Sequence, residues 1–203
     1  IVVTARTADP RDPAEAINVE AFQLVQGADA ALVAPVAEAY EEAVPSPVRM
    51  GIGNFLNNLL EPVVALNFLL QLKPGKAAET LGRFAINTTF GVGGLVDVAK
   101  TKPFNLPRRP NGFANTLGFY GVKPGPYFFL PLIGPTTLRD MIGGGIDGLV
   151  YPTAIGKPFT QLQYTLPAGT LSSLNSRIAN DCELRALSEE TSDPYAATRD
   201  YYL

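Results

Sequence analysis

Gly51-Ile-Gly-Asn-Phe-Leu-Asn-Asn-Leu-Leu-Glu61-Pro62 is the stretch on which the reading of the whole chain turns. Ile52, Phe55, Leu56 and Leu59 recur at the spacing of one helix face, while Asn54, Asn57, Asn58 and Glu61 fall at i, i+3, i+4 and i+7 on the other. One face is apolar and the other is polar yet almost uncharged. A helix facing bulk water usually fills its outer face with Lys and Glu. An amide face fits a crowded interface, an aqueous passage, or a solvated surface that happens to be Asn-rich.

Around this stretch, 203 residues with 46% hydrophobic content can bury a substantial core as one domain. The 18 prolines and 19 glycines separate short apolar segments and form no low-complexity tract, so many short elements are expected. Net charge is -3, and it is unevenly spread. Residues 46–157 carry 11 Lys and Arg against 5 acids, whereas residues 1–45 carry 2 against 8 and residues 158–203 carry 3 against 6. A basic, glycine-rich middle between acidic flanks suits contact with anionic head groups, not nucleic acid. The apolar runs at 63–72 and 127–133 fall short of the roughly 20 residues of a spanning helix. A bilayer contact would therefore lie in the membrane plane.

Along the chain, Asp12-Pro13 reads as a helix start, with Asp12 as N-cap, after a loose arm over residues 1–11. Ile17, Ala21, Leu24 and Val25 form an apolar stripe ending near Gly27, and short helices follow over 29–34 and 36–44. Pro62 is expected to end the amide-faced helix at Glu61 and to open a second, nearly all-apolar helix over 63–72. Residues 76–90 are amphipathic, with Lys76, Glu79, Arg83 and Asn87 on one stripe and Ala77, Leu81, Phe84 and Ala85 on another. A turn of helix over 95–99, a basic loop through Lys100, Lys102, Arg108 and Arg109, and a short helix over 113–120 come next. Prolines hold 121–135 extended and outside any regular sheet. Thr136 is an N-cap candidate for a helix over 138–142, after which Gly143, Gly144 and Gly145 loosen the chain as a candidate hinge or gate. Residues 151–158 read as a connection, 170–187 as one long helix, and Asp193-Pro194 as the start of the last.

The chemistry available is limited. With no histidine, the usual general base and the commonest metal ligand are missing. The glycine clusters lack the strand before them and the Lys-Ser/Thr ending that a phosphate loop requires. The carboxylates show no calcium-loop spacing, and the single Cys182 reads as a small apolar filler. No enzyme, metal or cofactor is expected.

In this order the residues carry a resemblance. Asp12-Pro13-Ala-Glu15, the Gly51 to Pro62 stretch, Gly82-Arg83-Phe84-Ala-Ile-Asn87-Thr and Gly93-Gly94-Leu-Val-Asp97 resemble the MlaA (VacJ) family of outer-membrane phospholipid-retrieval lipoproteins. Gly125-Pro126-Tyr127, Thr137-Leu138-Arg139-Asp140 and Ser192-Asp193-Pro194-Tyr195 continue it, so that residues 12–203 form one family-like domain. The resemblance implies an all-α, ring-like single domain of short amphipathic helices in the membrane plane, with Gly/Pro-rich turns and no transmembrane helix. It implies removal of mislocalised phospholipid from the outer leaflet, which maintains outer-membrane lipid asymmetry. The implied location is the periplasmic leaflet, beside a trimeric porin, with delivery to a soluble, MlaC-like periplasmic lipid carrier. Family members resemble lipoproteins with a leader and a lipidated N-terminal cysteine. This chain begins at Ile1 without either, and the expectation is that they have been removed.

On that reading, the lipid head group passes through an uncharged polar channel made by Asn54, Asn57, Asn58, Glu61, Asn87 and Thr88. Amides exchange hydrogen bonds with a moving head group, whereas clustered arginines would grip its phosphate. Lys157 would attract the phosphate as a point charge. A porin-associated structural subunit and a soluble helical lipid-binding carrier are the alternatives, and for each Asn a local cap or loop hydrogen bond is the competing role.

Overall fold

The computed structural model describes residues 9–131, 133–156, 161–189 and 191–203. These residues form nine α-helices, one π-helical turn and one two-stranded hairpin, joined by loops. Helix α1 (Glu15–Ala28) runs through a π-turn (Asp29–Val33) directly into α2 (Ala34–Ala43), so Gly27 does not end it. At the π-turn, the Asp29 carboxylate receives the Arg177 guanidinium of a distant helix at 3.2 Å, which holds the irregular turn in place.

Helix α3 spans Ser46–Leu70 with Pro62 in its interior. The expected break at Glu61 and separate helix over 63–72 are therefore corrected. Pro62 cannot donate to the carbonyl of Asn58, but α4 (Pro74–Thr89) packs along both sides of the defect. Val64 and Phe68 meet Ala77 beyond the proline, and Glu61 meets Arg83 before it. Among the described residues no helix is long and apolar enough to cross a membrane.

These helices bury polar side chains as readily as apolar ones. Thirteen buried side chains are polar or charged against twelve that are hydrophobic, so the described interior is no more apolar than polar. On α4 the expected polar stripe turns inward at Arg83 and Asn87, while Leu81 is exposed. On α3 the buried residues include Asn58, Glu61 and Asn67, and Leu60, Leu66, Leu69 and Leu70 face out. On α1 the expected apolar stripe holds only in part, for Ala21 and Val25 pack against the core while Ile17 and Leu24 face out. Asn18 and Phe22 are buried, and Ile17 is 72% exposed.

Residues 95–99 form turns and a bend, without helix, before α5 (Phe113–Phe119). The proline-bounded stretch does enter a sheet: β1 (Tyr127–Leu130) pairs antiparallel with β2 (Gly134–Thr137). Pro135 stands opposite Phe129. The missing N–H does no harm there, because the Phe129 N–H points to the other edge, where it donates to Asn18 Oδ1 at 3.0 Å. Asn18 Nδ2 in turn donates to the Tyr127 carbonyl at 3.3 Å, and Tyr127 N–H donates to the Arg11 carbonyl at 2.8 Å.

Helix α6 (Leu138–Ile155) continues without interruption through Gly143, Gly144 and Gly145 and over residues expected to form a connection. Its first turn is capped by Thr137, one residue later than expected, through the Asp140 N–H at 3.3 Å. Gly143 is buried against Ala114 of α5, whose Cα lies 2.5 Å from where a Cβ would stand, whereas Gly144 and Gly145 face open space. The late helix divides at Asn180 into α7 (Leu162–Ala179) and α8 (Asp181–Glu189).

Helix α9 (Pro194–Tyr202), capped by Asp193, closes the chain back onto its start. Phe22, Tyr127, Phe129 and Tyr195 form an aromatic cluster there, with edge-on ring contacts at 5.3 to 6.4 Å. Asp12 serves this junction and makes no side-chain cap on α1. Its carboxylate is buried and accepts from Asn18 Nδ2 at 2.7 Å and from the Tyr195 hydroxyl. Burial and the Asp12 carboxylate hold the Tyr195 hydroxyl well above its ordinary pKa.

Candidate functional site

The inward faces of α3 and α4 enclose a narrow cleft lined by Asn54, Asn57, Asn58, Glu61, Arg83, Asn87, Asp97 and Arg108. Five of the residues singled out from the sequence thus come together. Thr88 is exposed but adjoins them, its hydroxyl oxygen accepting from Asn58 Nδ2 at 3.0 Å. Gly143, Gly144 and Gly145 lie elsewhere, on α6, and Lys157 falls outside the described residues.

Arg83 organises the cleft. Only 3% exposed, it donates from Nε to Glu61 at 3.1 Å, from Nη2 to both Asp97 oxygens at 3.2 Å, and from Nη1 to the Leu106 carbonyl. Asn87 extends the network by donating to Asp97 at 2.9 Å and accepting from the Ala99 N–H at 2.9 Å. Asn54 donates to the Leu95 carbonyl at 3.1 Å. Three cleft residues therefore pin the loop that follows α4.

Glu61 is 2% exposed, and burial raises its pKa against the opposing hydrogen bond and charge of Arg83. Arg108 adds a further positive field from the rim. The two carboxylates and Arg83 leave the buried set short of one positive charge when both acids are ionised. Asn58 Oδ1 is buried without a hydrogen-bond partner, so the cleft retains an unused acceptor. Beside it, Gly94 at φ +102° brings its backbone so close that a Cβ would stand 2.8 Å from Asn58 Cβ.

The amides do not share one role. Asn54 and Asn87 bind loop backbone, which was the competing role for each, whereas Asn57 and Asn58 line the cleft without making such a bond. Arg83, Asp97 and Arg108 were not assigned to the site from the sequence. Asp97 carried a signal: it is the only acid between Glu79 and Asp140, placed within a basic region. The cavity holds about 20 Å³, room for about one water.

Helices that bury amides and ions beside apolar side chains and expose leucine, with none among the described residues long and apolar enough to cross a bilayer, define a mostly helical fold with a polar interior. The chain belongs to the MlaA lipoprotein family, whose model matches residues 10–203. It is 37% identical over 200 residues to the intermembrane phospholipid transport system lipoprotein MlaA of Escherichia coli, covering 94% of this chain and 75% of that protein. The protein of the same description from Haemophilus influenzae is 34% identical over 177 residues, covering 86% of this chain and 68% of that one. A solved structure reported as "Structural basis for maintenance of bacterial outer membrane lipid asymmetry" superposes with a TM-score of 0.77 at 35% identity, covering 94% of each chain.

Proposed function

We propose that this protein transports phospholipid in the maintenance of outer-membrane lipid asymmetry. In this reading it lies in the periplasmic leaflet beside a trimeric porin, takes mislocalised phospholipid from the outer leaflet and passes it to a soluble, MlaC-like periplasmic carrier. The observation that carries the proposal is the polarity of α3 and α4: leucines are exposed on the outside while amides and ions line an internal cleft. Apolar outer faces suit helices lying in the membrane plane, and the polar cleft offers a head group partners that its tails do not need. Relatives described as intermembrane phospholipid transport lipoproteins support the same reading.

A cavity of about 20 Å³ is far below the few hundred Å³ typical of a small-molecule site. Passage of a head group therefore requires opening. The loop pinned by Arg83, Asn87 and Asn54 and the glycine run of α6 are the elements whose movement would provide it. Gly144 and Gly145 have the space to serve as hinge points, whereas Gly143 is committed to packing on α5. Transfer itself is passive, with direction set by the carrier.

The test is transfer of labelled phospholipid from liposomes carrying the protein to a soluble acceptor, with Asn57→Leu and Asn58→Leu combined. Loss of transfer by a folded, membrane-bound double variant supports the amide face as lipid path. Unchanged transfer removes that face from the path.

A further inference from the structure

The loop over residues 90–109 combines two surfaces that the buried network does not explain. Phe90, Val92, Leu95, Val96 and Phe104 are exposed along it, from 38% at Phe104 to 71% at Phe90. Lys100, Lys102 and Arg108 are exposed among them, and within the described residues none of the three has an ion-pair partner. Arg109 is different, being paired with Glu79 at 2.7 Å. Residues 98–139 contain six Lys and Arg and no acid, and of the six only Arg109 and Arg139 have ion-pair partners among the described residues, Glu79 and Asp140. A mobile loop would disperse such a pattern. This one is fixed at Leu95, Asp97, Ala99 and Leu106 by Asn54, Arg83 and Asn87, and its Arg108 reaches the rim of the cleft.

We propose that this loop is a recognition surface for net-negative phospholipid, set at the mouth of the cleft. Its aromatic and aliphatic side chains enter the boundary between head groups and tails, and Lys100, Lys102 and Arg108 gather phosphate-bearing head groups that carry no compensating amine. Apolar side chains interleaved with unpaired cations are what an anionic interface selects. The apolar part supplies partition, and the cations supply an attraction that a zwitterionic surface gives only weakly. The buried Arg83 network thereby acquires a second task, since it fixes the loop that carries these cations and sets Arg108 at the rim of the cleft. The proposal depends on the membrane-lying reading above, and the test separates the two.

The experiment is flotation of the purified chain with vesicles of phosphatidylcholine alone and with one third phosphatidylglycerol. Wild type is expected to bind the anionic vesicles more tightly. With Lys100, Lys102 and Arg108 all changed to Gln, binding to anionic vesicles should fall by about fivefold per charge, roughly a hundredfold in all, and binding to neutral vesicles should hold. Raising the salt to about 0.5 M, where screening acts within roughly 4 Å, should reduce wild-type binding toward that of the variant. The charge-keeping set Lys100→Arg, Lys102→Arg and Arg108→Lys should restore it. Phe104→Ala should weaken binding to both kinds of vesicle. Equal wild-type binding to the two compositions, or a triple Gln variant that binds anionic vesicles normally, overturns the proposal and leaves membrane residence standing. Absence of binding to either vesicle overturns membrane residence and the proposal together.

Discussion

Changing Arg83 to Met keeps most of the side-chain length and removes the charge. The guanidinium now lies 3.1 Å from Glu61 and 3.2 Å from Asp97, with side-chain exposures of 3% and 20% for the two acids. Removing one partner of so buried a set leaves carboxylate charge without compensation, which costs about 3 to 5 kcal/mol. In a chain of this size each kcal/mol corresponds to roughly 2 to 4 °C, so the melting temperature should drop by roughly 10 °C. The loss has a pH signature. Below 4.5, the ordinary glutamate value, Glu61 is protonated in folded and unfolded chains alike. Because its folded pKa is raised, the unfolded chain ionises first as pH climbs, and stability falls until the folded pKa is passed. Without Arg83 that pKa rises further and the fall is longer, so the deficit should grow from about pH 4 to pH 7. Thermal unfolding of detergent-held protein, followed by far-ultraviolet circular dichroism at both pH values, measures it. A deficit under about 1 kcal/mol at pH 7, or one equally large near pH 4, refutes the argument.

Two glycines one residue apart should behave differently. Gly143→Ala drives a Cβ into Ala114 and should destabilise by about 1 to 3 kcal/mol in a denaturation curve. Gly144→Ala meets open space and should leave folded yield unchanged while lowering lipid transfer through a stiffer α6; normal transfer would exclude the hinge role. Tyr195→Phe deletes a donor to the buried Asp12 carboxylate and should cost about 1 to 3 kcal/mol, measured as the shift in denaturation midpoint. A change below about 0.5 kcal/mol would mean that Asn18 and the Arg199 guanidinium, 3.7 Å away, satisfy Asp12 without it.

The sequence revealed periods well and directions poorly. The 3.6-residue repeat of α4 was legible, and so were α5 and the Asp193 cap of α9, because spacing and cap chemistry are local. Which stripe of a helix turns inward is not local. Reading Ile17 and Leu24 as the packed face of α1 assumed water outside, and both are exposed while Asn18 is buried. Pro62 was read as a break because the packing of α4 across it cannot be seen from α3 alone. The same holds for Pro135, whose fit in β2 depends on which edge the opposing N–H uses. The cleft was half legible: the Asn stripe pointed to Asn54, Asn57, Asn58 and Glu61, but Asp97 and Arg108 arrive through a loop whose course follows from Arg83. Segment lengths excluded a spanning helix and the resemblance implied an all-α class; the structure is mostly helical with one short hairpin, and no helix among its described residues is long and apolar enough to cross a membrane.

The Asn18 side chain has a consequence beyond joining α1 to the hairpin. By accepting from Phe129 N–H and donating to the Tyr127 carbonyl, it occupies the positions a third strand would use, and Arg11 takes the Tyr127 N–H. A short aromatic strand with open donors and acceptors is a template for another chain to add to, and the hazard grows when the surface nearby is rich in exposed leucine. Here one buried amide and the Arg11 carbonyl together occupy that outer edge. Whatever this protein's apolar surface adheres to, growth of a β-sheet from the outer side of β1 is blocked from within its own fold.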